Sequence, residues 1–272
     1  MNQSLLKVAV AQFPGSNDIA QNKKYIVDLC RQAAEEKAEL LVFPEAAMCA
    51  FSSPLEELKE VATKHAASFI QFMQDLAKEH GFAIVVGVLS PSEVADDERV
   101  VNQLIAIGAD GEIISRYTKV HLYDAFKFKE SDKVQPGAIY TDHRELTLFD
   151  LKGFKIGLVN CYDLRFPELS RKLAVAGADI LSISAAWLAG PYKEMHWETL
   201  SRARAIENTC YVLACGQTAP KNCGQSMIID PMGAILSGAG EEPGLITRTL
   251  SKKRIDEVRQ ILPCLENRRY DA

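Results

Sequence analysis

Short apolar runs of strand character alternate with amphipathic helical stretches along most of this chain, and that alternation restricts it to an α/β fold. Helical spacing appears at Ile26, Leu29, Cys30 and Ala33, at Leu55, Leu58 and Val61, and at Phe69, Phe72, Met73 and Leu76, which predicts helices with one face in a core. Strand-type runs fall at Leu40 to Phe43, Phe82 to Leu89, Val100 to Ile107, Phe154 to Val159, Ile180 to Ser184 and Tyr211 to Ala214. Asp110-Gly111, Lys152-Gly153 and Pro231-Met232-Gly233 each sit between two strand-like runs and predict hairpins. Hairpins join antiparallel neighbours, so the sheets must be mixed. The polar stretches Pro91 to Arg99 and His121 to Gly137 are the predicted loops.

With 47% of its 272 residues apolar, the chain has ample material for one large core, and residues 1–272 are taken as a single domain. A net charge of -5, with both signs interspersed, leaves no basic footprint for nucleic acid or anionic lipid. Met1 leads almost at once into the strand-like Lys7 to Phe13, and no apolar run approaches the ~20 residues that span a bilayer, so a cytoplasmic location is expected. The seven cysteines are odd in number, scattered and never spaced Cys-x-x-Cys, which argues against a disulfide framework or a zinc site. Gly238-x-Gly240 is the nearest approach to a phosphate-binding glycine loop, so neither a nucleotide cofactor nor a metal is expected.

Three strand-like runs stop at residues with chemistry. Lys155 to Asn160 stops at Cys161, ahead of a helical stretch from Phe166 to Ala176; a thiol on such a strand-to-helix turn is either a buried packing residue or a nucleophile beside backbone N–H groups. Leu40 to Phe43 stops at Pro44-Glu45, where the carboxylate is either a surface group or a partly desolvated base with a raised pKa. Glu112 to Thr118 stops at Lys119, an ammonium that either sits in solvent or lowers a neighbouring thiol's pKa.

Together, Phe43-Pro44-Glu45, Tyr117-Thr118-Lys119-Val120-His121-Leu122 and Asn160-Cys161-Tyr162-Asp163-Leu164-Arg165-Phe166-Pro167-Glu168 resemble, in order, the glutamate, lysine and cysteine motifs of the nitrilase superfamily of carbon–nitrogen hydrolases. Phe128-Lys129-Glu130-Ser131 is similar to the segment with that family's second active-site glutamate, and His196-Trp197 with Arg202 to Asn208 extends the likeness to roughly Val8 to Gly233. The resemblance implies a four-layer αββα sandwich with two mixed sheets, paired through its helices into a homodimer or higher homo-oligomer. It further implies that Glu45 takes the thiol proton, Cys161 attacks an amide carbonyl, Lys119 and the Tyr162 N–H hold the oxyanion, and Glu130 serves the hydrolytic half-reaction. No metal or other cofactor is required; the only partner implied is a small-molecule amide.

The wording of the cysteine motif looks most like the branch acting on amides of dicarboxylic acids, the ω-amidases and deaminated-glutathione amidases. Substrate selection is expected from the pocket loops Tyr123 to Gln135 and Ala189 to Met195, with Arg165 or Lys193 pairing a substrate carboxylate and Trp187 as pocket wall or core. Asp163 and Arg165 are read as an internal ion pair, His121, His65, His80 and His143 as internal hydrogen-bonders, and Arg202, Arg204 and Glu207 as salt-bridging residues of a packed helix. Residues from about 251 to 272 are taken as a C-terminal tail, in which Asn267-Arg268-Arg269-Tyr270 is expected to fray. The alternatives carried forward are an N-carbamoyl amino-acid or ureido-acid hydrolase with the same triad, a nitrile hydrolase, a nucleotide-binding domain, and a non-catalytic αββα interaction protein.

Overall fold

The computed structural model describes residues 4–92, 94 and 96–270. In chain order the elements are β1 (Leu5–Gln12), α1 (Ile19–Glu35), β2 (Leu40–Val42), α2 (Leu55–His80), β3 (Ala83–Pro91), β4 (Val100–Ile107), β5 (Ile113–Thr118), β6 (Asp124–Ala125), β7 (Phe128–Lys129), β8 (Val134–Gln135), β9 (Leu148–Leu151) and β10 (Phe154–Asn160). They continue as α3 (Pro167–Val175), β11 (Ile180–Ala185), α4 (Lys193–Asn208), β12 (Tyr211–Gly216), β13 (Met227–Ile229), β14 (Ile235–Gly238), β15 (Gly244–Ser251) and α5 (Lys252–Ile261).

One sheet runs β15-β1-β2-β3-β4-β5, with β8 also beside β4; the other runs β14-β13-β12-β11-β10-β9. Each has a parallel centre, β1/β2/β3 and β10/β11/β12, and antiparallel flanks, so both are mixed as expected. The period-2 pattern of the strands sorts side chains into layers. Val8, Val10, Leu40 and Val42 join the core shared with the second sheet, while Ala9, Ala11, Leu41 and Phe43 join the core under α1 and α2. Direct contacts tie the two sheets together, with the Ser184 hydroxyl donating to the Phe43 carbonyl (2.7 Å) and Cys215 Sγ lying 3.1 Å from the Ala11 carbonyl. The outer face of the second sheet is covered by α3 and α4, close enough that a side chain at Gly157 would meet Leu173 at 3.2 Å. The layers are therefore α, β, β, α.

Helix ends follow local chemistry. Asp18 caps α1 by accepting from the N–H groups of Ala20 and Gln21, and α2 has Glu56 and Glu57 in its first turn, Lys78 and His80 in its last, and Gly81 in the left-handed region after it. Leu55 to Leu76, read from sequence as two periodic stretches, belongs to one continuous helix. Two other expectations are corrected. The segment from His121 to Gly137 is not plain loop: it holds the β6–β7 hairpin, a 3-10 turn at Glu130–Asp132 and β8. The supposed tail from 251 is helix α5, whose Ile255 and Val258 are fully buried and whose Arg254 and Arg259 pair with Asp230 and Asp179. A segment that buries apolar side chains and carries counter-ions for two buried carboxylates is part of the packed fold.

Candidate active site

The ends of β2, β5, β10, β11 and β12 converge, and each delivers one part of a buried cluster. At the end of β2, the turn Pro44-Glu45-Ala46 presses against β3 at Gly87. A Cβ there would meet the Ala46 nitrogen at 2.5 Å and the Glu45 Cα at 2.7 Å, so only glycine lets the turn lie flat, and Ala46 takes a left-handed φ of 52° to complete it. Glu45 is 2% exposed. Its Oε1 accepts from Lys119 Nζ (2.8 Å) and Asn102 Nδ2 (2.7 Å), and its Oε2 from the Ala186 N–H (2.9 Å) just beyond β11. Lys119, at the end of β5, also donates to both oxygens of Glu130 at 3.0 and 2.9 Å. Glu130 is fixed in turn by the Tyr123 N–H (2.6 Å). Gln217, at the end of β12, donates to the Glu45 carbonyl (2.8 Å) and holds the turn from behind.

Cys161 ends β10 in the left-handed region (φ 51°) and opens the 3-10 turn Cys161–Arg165. Asp163 organises that turn: fully buried, it accepts from the Tyr117 hydroxyl (2.7 Å), the His121 N–H (3.0 Å) and the Asn160 N–H (3.2 Å), and lies 2.7 Å from His121 Nδ1. From α4, Arg204 donates twice to the Leu164 carbonyl, at 3.1 and 2.7 Å. The thiol and the Glu45 carboxylate are close enough that each shifts the other's titration. Burial alone would raise the Glu45 carboxyl, but the Lys119 ammonium and the hydrogen bonds from Cys161, Lys119 and Ala186 hold it below the ordinary carboxylate range. Burial and the neighbouring Glu45 carboxylate push the Cys161 thiol well above its usual range, against the pull of Lys119. Lys119 stays charged, because Glu130 and Glu45 together outweigh its desolvation. At rest, then, the proton sits on sulfur, hydrogen-bonded to a waiting carboxylate. That arrangement suits attack on an electrophilic carbon with concerted proton transfer.

The carbon-nitrogen hydrolase family model matches residues 7–260. The chain belongs to that family. It is 39% identical to the deaminated glutathione amidase of Escherichia coli O157:H7, over 97% of either chain, and 31% identical to the omega-amidase NIT3 of Saccharomyces cerevisiae, over 98% of this chain and 94% of that one. Among solved structures, the C. elegans NitFhit protein superposes with a TM-score of 0.89 at 29% identity, over 99% of this chain and 66% of that longer one. Saccharomyces cerevisiae Nit3, described as a member of branch 10 of the nitrilase superfamily, superposes with a TM-score of 0.85 at 28% identity, over 98% and 97% of the two chains.

In this carbon-nitrogen hydrolase the cluster forms the floor of a cavity of about 190 Å³. Glu45, Lys119, Glu130, Cys161, Tyr162, Arg165, Trp187 and Lys193, all singled out from sequence, line it together. Trp187 is both wall and core: 4% exposed, it belongs to the hydrophobic cluster and packs on Trp197 while it lines the cavity; its indole N–H donates to the Lys193 carbonyl (2.9 Å) and the Arg165 guanidinium lies over its ring at 4.6 Å. Lys193 is the first residue of α4, not part of a loop, and its ammonium donates to the Tyr123 hydroxyl (2.8 Å) beneath the Phe126 ring (3.4 Å). Desolvation and nearby Arg165 hold the Lys193 ammonium below its ordinary pKa.

Several expectations change. Asp163 and Arg165 make no ion pair: neighbours in a tight turn, they point to different partners, Asp163 into the core and Arg165 into the cavity. The Glu45 carboxyl is depressed rather than raised, because Lys119 and the surrounding hydrogen bonds outweigh its burial, and the thiol is raised rather than lowered, because burial and the Glu45 carboxylate outweigh Lys119. His121 hydrogen-bonds internally and stacks on Phe166 at 3.8 Å, and His143, though exposed, has Glu145 and Lys172 at its two ring nitrogens, whereas His65 is exposed and His80 stacks on Phe82. Arg204 pairs with Glu207 and Arg202 with Glu198, as a packed helix would have it. Asn102, Gln217 and Gly87 were missed. Only Asn102 carried a signal, a polar residue amid the apolar run Val100 to Ile107. Among the described residues no three His, Cys, Asp or Glu side chains are grouped to hold a metal ion.

Proposed function

We propose that this protein hydrolyses a small carboxamide that also bears a carboxylate, an ω-amide of a dicarboxylic acid, through a thioester on Cys161. The observation that carries this reading is the pairing of a buried Glu45–Lys119–Glu130–Cys161 floor with a wall on which Arg165 and Lys193 meet no carboxylate among the described residues. Two partly desolvated cations beside one cavity call for an anion, and a carboxylate at the far end of the substrate supplies it. The names of the E. coli and yeast relatives support the same class.

In this mechanism the Glu45 carboxylate takes the proton from Cys161 as sulfur attacks the carbonyl carbon. The negative charge that develops on the carbonyl oxygen is met by Lys119 Nζ and the Tyr162 N–H at the start of the 3-10 turn, where backbone donors have no helical partner. Glu45 then passes the proton to the amide nitrogen, the carbon–nitrogen bond breaks and ammonia leaves. Water adds to the thioester with Glu45 again as base, Glu130 helping to orient it, and the acid departs with the thiol restored. Lys119 does double duty: without it two buried carboxylates face each other unpaired, a loss of about 3–5 kcal/mol by comparison with broken buried pairs.

The test is ammonia release from glutaramate by wild type, Cys161→Ala and Arg165→Met. Expected are turnover by wild type, none by Cys161→Ala, and a KM for glutaramate about tenfold higher in Arg165→Met, equivalent to ~1.4 kcal/mol of lost binding, with less effect on a neutral amide such as butyramide. Failure to release ammonia from any amide, with Cys161 inert to iodoacetamide, would overturn the reading. Carbon dioxide released along with ammonia from a carbamoyl amino acid, and none from glutaramate, would move it to the carbamoyl hydrolases.

A further inference from the structure

His196-Trp197, a motif of the sequence to which the mechanism gives no role, lies in the first turns of α4 beside the cavity wall. The helix begins at Lys193, after Tyr192 in the left-handed region, so Lys193, His196 and Trp197 fall on one face at helical spacing. The three hold the wall from a single element. The Lys193 carbonyl accepts from the Trp187 indole (2.9 Å), and Trp197 packs on Trp187 with ring centroids 5.5 Å apart while its own indole N–H donates to the Gln225 carbonyl (2.9 Å). His196 Nδ1 lies 3.5 Å from Arg165 Nη2.

Among the described residues that imidazole is the only hydrogen-bond partner of Arg165, whose Nε is buried and unpaired. Rings supply the other contacts, with the guanidinium carbon 4.6 Å from the Trp187 ring and 5.9 Å from that of Tyr162. An aromatic face fixes the plane of a guanidinium but leaves it free to slide and turn within that plane. A hydrogen bond is directional and removes that freedom. Arginine has donors only, so His196 Nδ1 is the acceptor and the ring proton lies on Nε2. The His196 backbone N–H donates to the Tyr192 carbonyl (2.9 Å), so the imidazole is carried by helix and not by loop. Two parallel bonds to a planar carboxylate form only from a fork held at the right angle.

We propose that His196 is a positioning residue for Arg165: it sets the guanidinium within the plane given by Trp187, so that the remaining donors face the carboxylate of the substrate. This rests on the reading of Arg165 as the carboxylate ligand and names the residue through which α4 sets selectivity. His196 is not part of the cavity lining and acts on the substrate only through Arg165. Acidic amides are then distinguished from neutral ones by two residues in series, Arg165 by charge and His196 by direction.

The experiment measures KM and kcat for glutaramate and butyramide in His196→Phe, His196→Asn, His196→Gln, Arg165→Met and the double variant Arg165→Met/His196→Phe. Phenylalanine keeps a flat ring and removes the acceptor. Asparagine puts its Oδ1 close to where Nδ1 stood, whereas glutamine reaches past it toward the place of Nε2. His196→Phe should raise KM for glutaramate about five- to tenfold, as loss of one hydrogen bond to a charged group does, with a smaller change in kcat and in KM for butyramide. His196→Asn should return that KM to within about twofold of wild type, and His196→Gln should not. Once Arg165 is methionine, His196→Phe should have no further effect, because the group it acts through is gone. A glutaramate KM in His196→Phe like that of wild type, equal values for His196→Asn and His196→Gln, or a fully additive double variant overturns the positioning role and leaves the amidase reading standing. Should His196→Phe fail to fold, the comparison of His196→Asn with His196→Gln decides alone. An unchanged glutaramate KM in Arg165→Met overturns the carboxylate reading and this proposal with it.

Discussion

Asn102 shows how far the chemistry of a single residue here depends on its partners. Its Nδ2 donates to Glu45 Oε1 (2.7 Å) and lies 3.3 Å from Glu130 Oε1, while its Oδ1 accepts from Asn160 Nδ2 (3.0 Å), so one amide links two carboxylates to the strand that presents Cys161. Against its burial, Lys119 and the hydrogen bonds from Cys161 and Ala186 hold the Glu45 carboxyl below its ordinary range, and Asn102, by donating to the charged form, acts in the same direction. Removing it in Asn102→Ala raises the Glu45 pKa. Since Glu45 must be ionised to take the thiol proton, the acid limb of kcat/KM then moves to higher pH. The same sign governs stability: a depressed carboxylate contributes above its unfolded pKa and loses that contribution as pH falls through the folded one. A pH–rate profile of the variant superimposable on wild type would refute this role. From sequence, Glu45 is a carboxylate with apolar neighbours, which predicts a raised pKa. The residue that reverses the sign, Lys119, is 74 positions away.

At the scale of elements, what matters is where strands stop. β2, β5 and β10 end within three residues of Glu45, Lys119 and Cys161, and these ends were legible because each is a change from a local apolar pattern to a polar residue. The close approach of two elements was not. Gly87 lies mid-strand in β3, and its lack of a side chain matters only because the Glu45 turn crosses it with backbone atoms at 2.5 to 2.7 Å from where a Cβ would be. Backbone cannot yield as a side-chain tip can. Gly87→Ala should therefore cost about 1–3 kcal/mol in urea unfolding and, by shifting Glu45 by a fraction of an ångström or more, lower kcat at least tenfold. Wild-type kcat in that variant would show that the turn tolerates displacement. The same limitation explains Lys193, expected within the pocket loop Ala189 to Met195 but found at the start of α4 after Tyr192 in the left-handed region.

At the scale of the molecule, α5 closes the structure over both sheets. It follows directly on β15 of the first sheet, and Lys252 and Arg259 pair with Asp179 ahead of β11 while Arg254 pairs with Asp230 after β13 in the second. Deleting residues 252–272 strips these partners from carboxylates that are 1% and 5% exposed and uncovers neighbours of Ile255 and Val258. At about 3–5 kcal/mol for each broken buried pair, the loss rivals the 5–15 kcal/mol that holds a typical domain together. The truncated chain should be insoluble or unfolded at 25 °C by circular dichroism; an unchanged urea midpoint would mean that the helix is dispensable. Sequence alone determined the α/β alternation, the mixed sheets, the strand ends bearing Glu45, Lys119 and Cys161, and the family they resemble, because periodicity and turn chemistry act over a few residues. Tertiary structure decided the charge state of Glu45 and Cys161, the separate allegiances of Asp163 and Arg165, the need for Gly87, and the anchoring of α5. Each of those depends on which distant group comes within a few ångströms inside a medium of low dielectric, where one neighbouring charge outweighs every local preference.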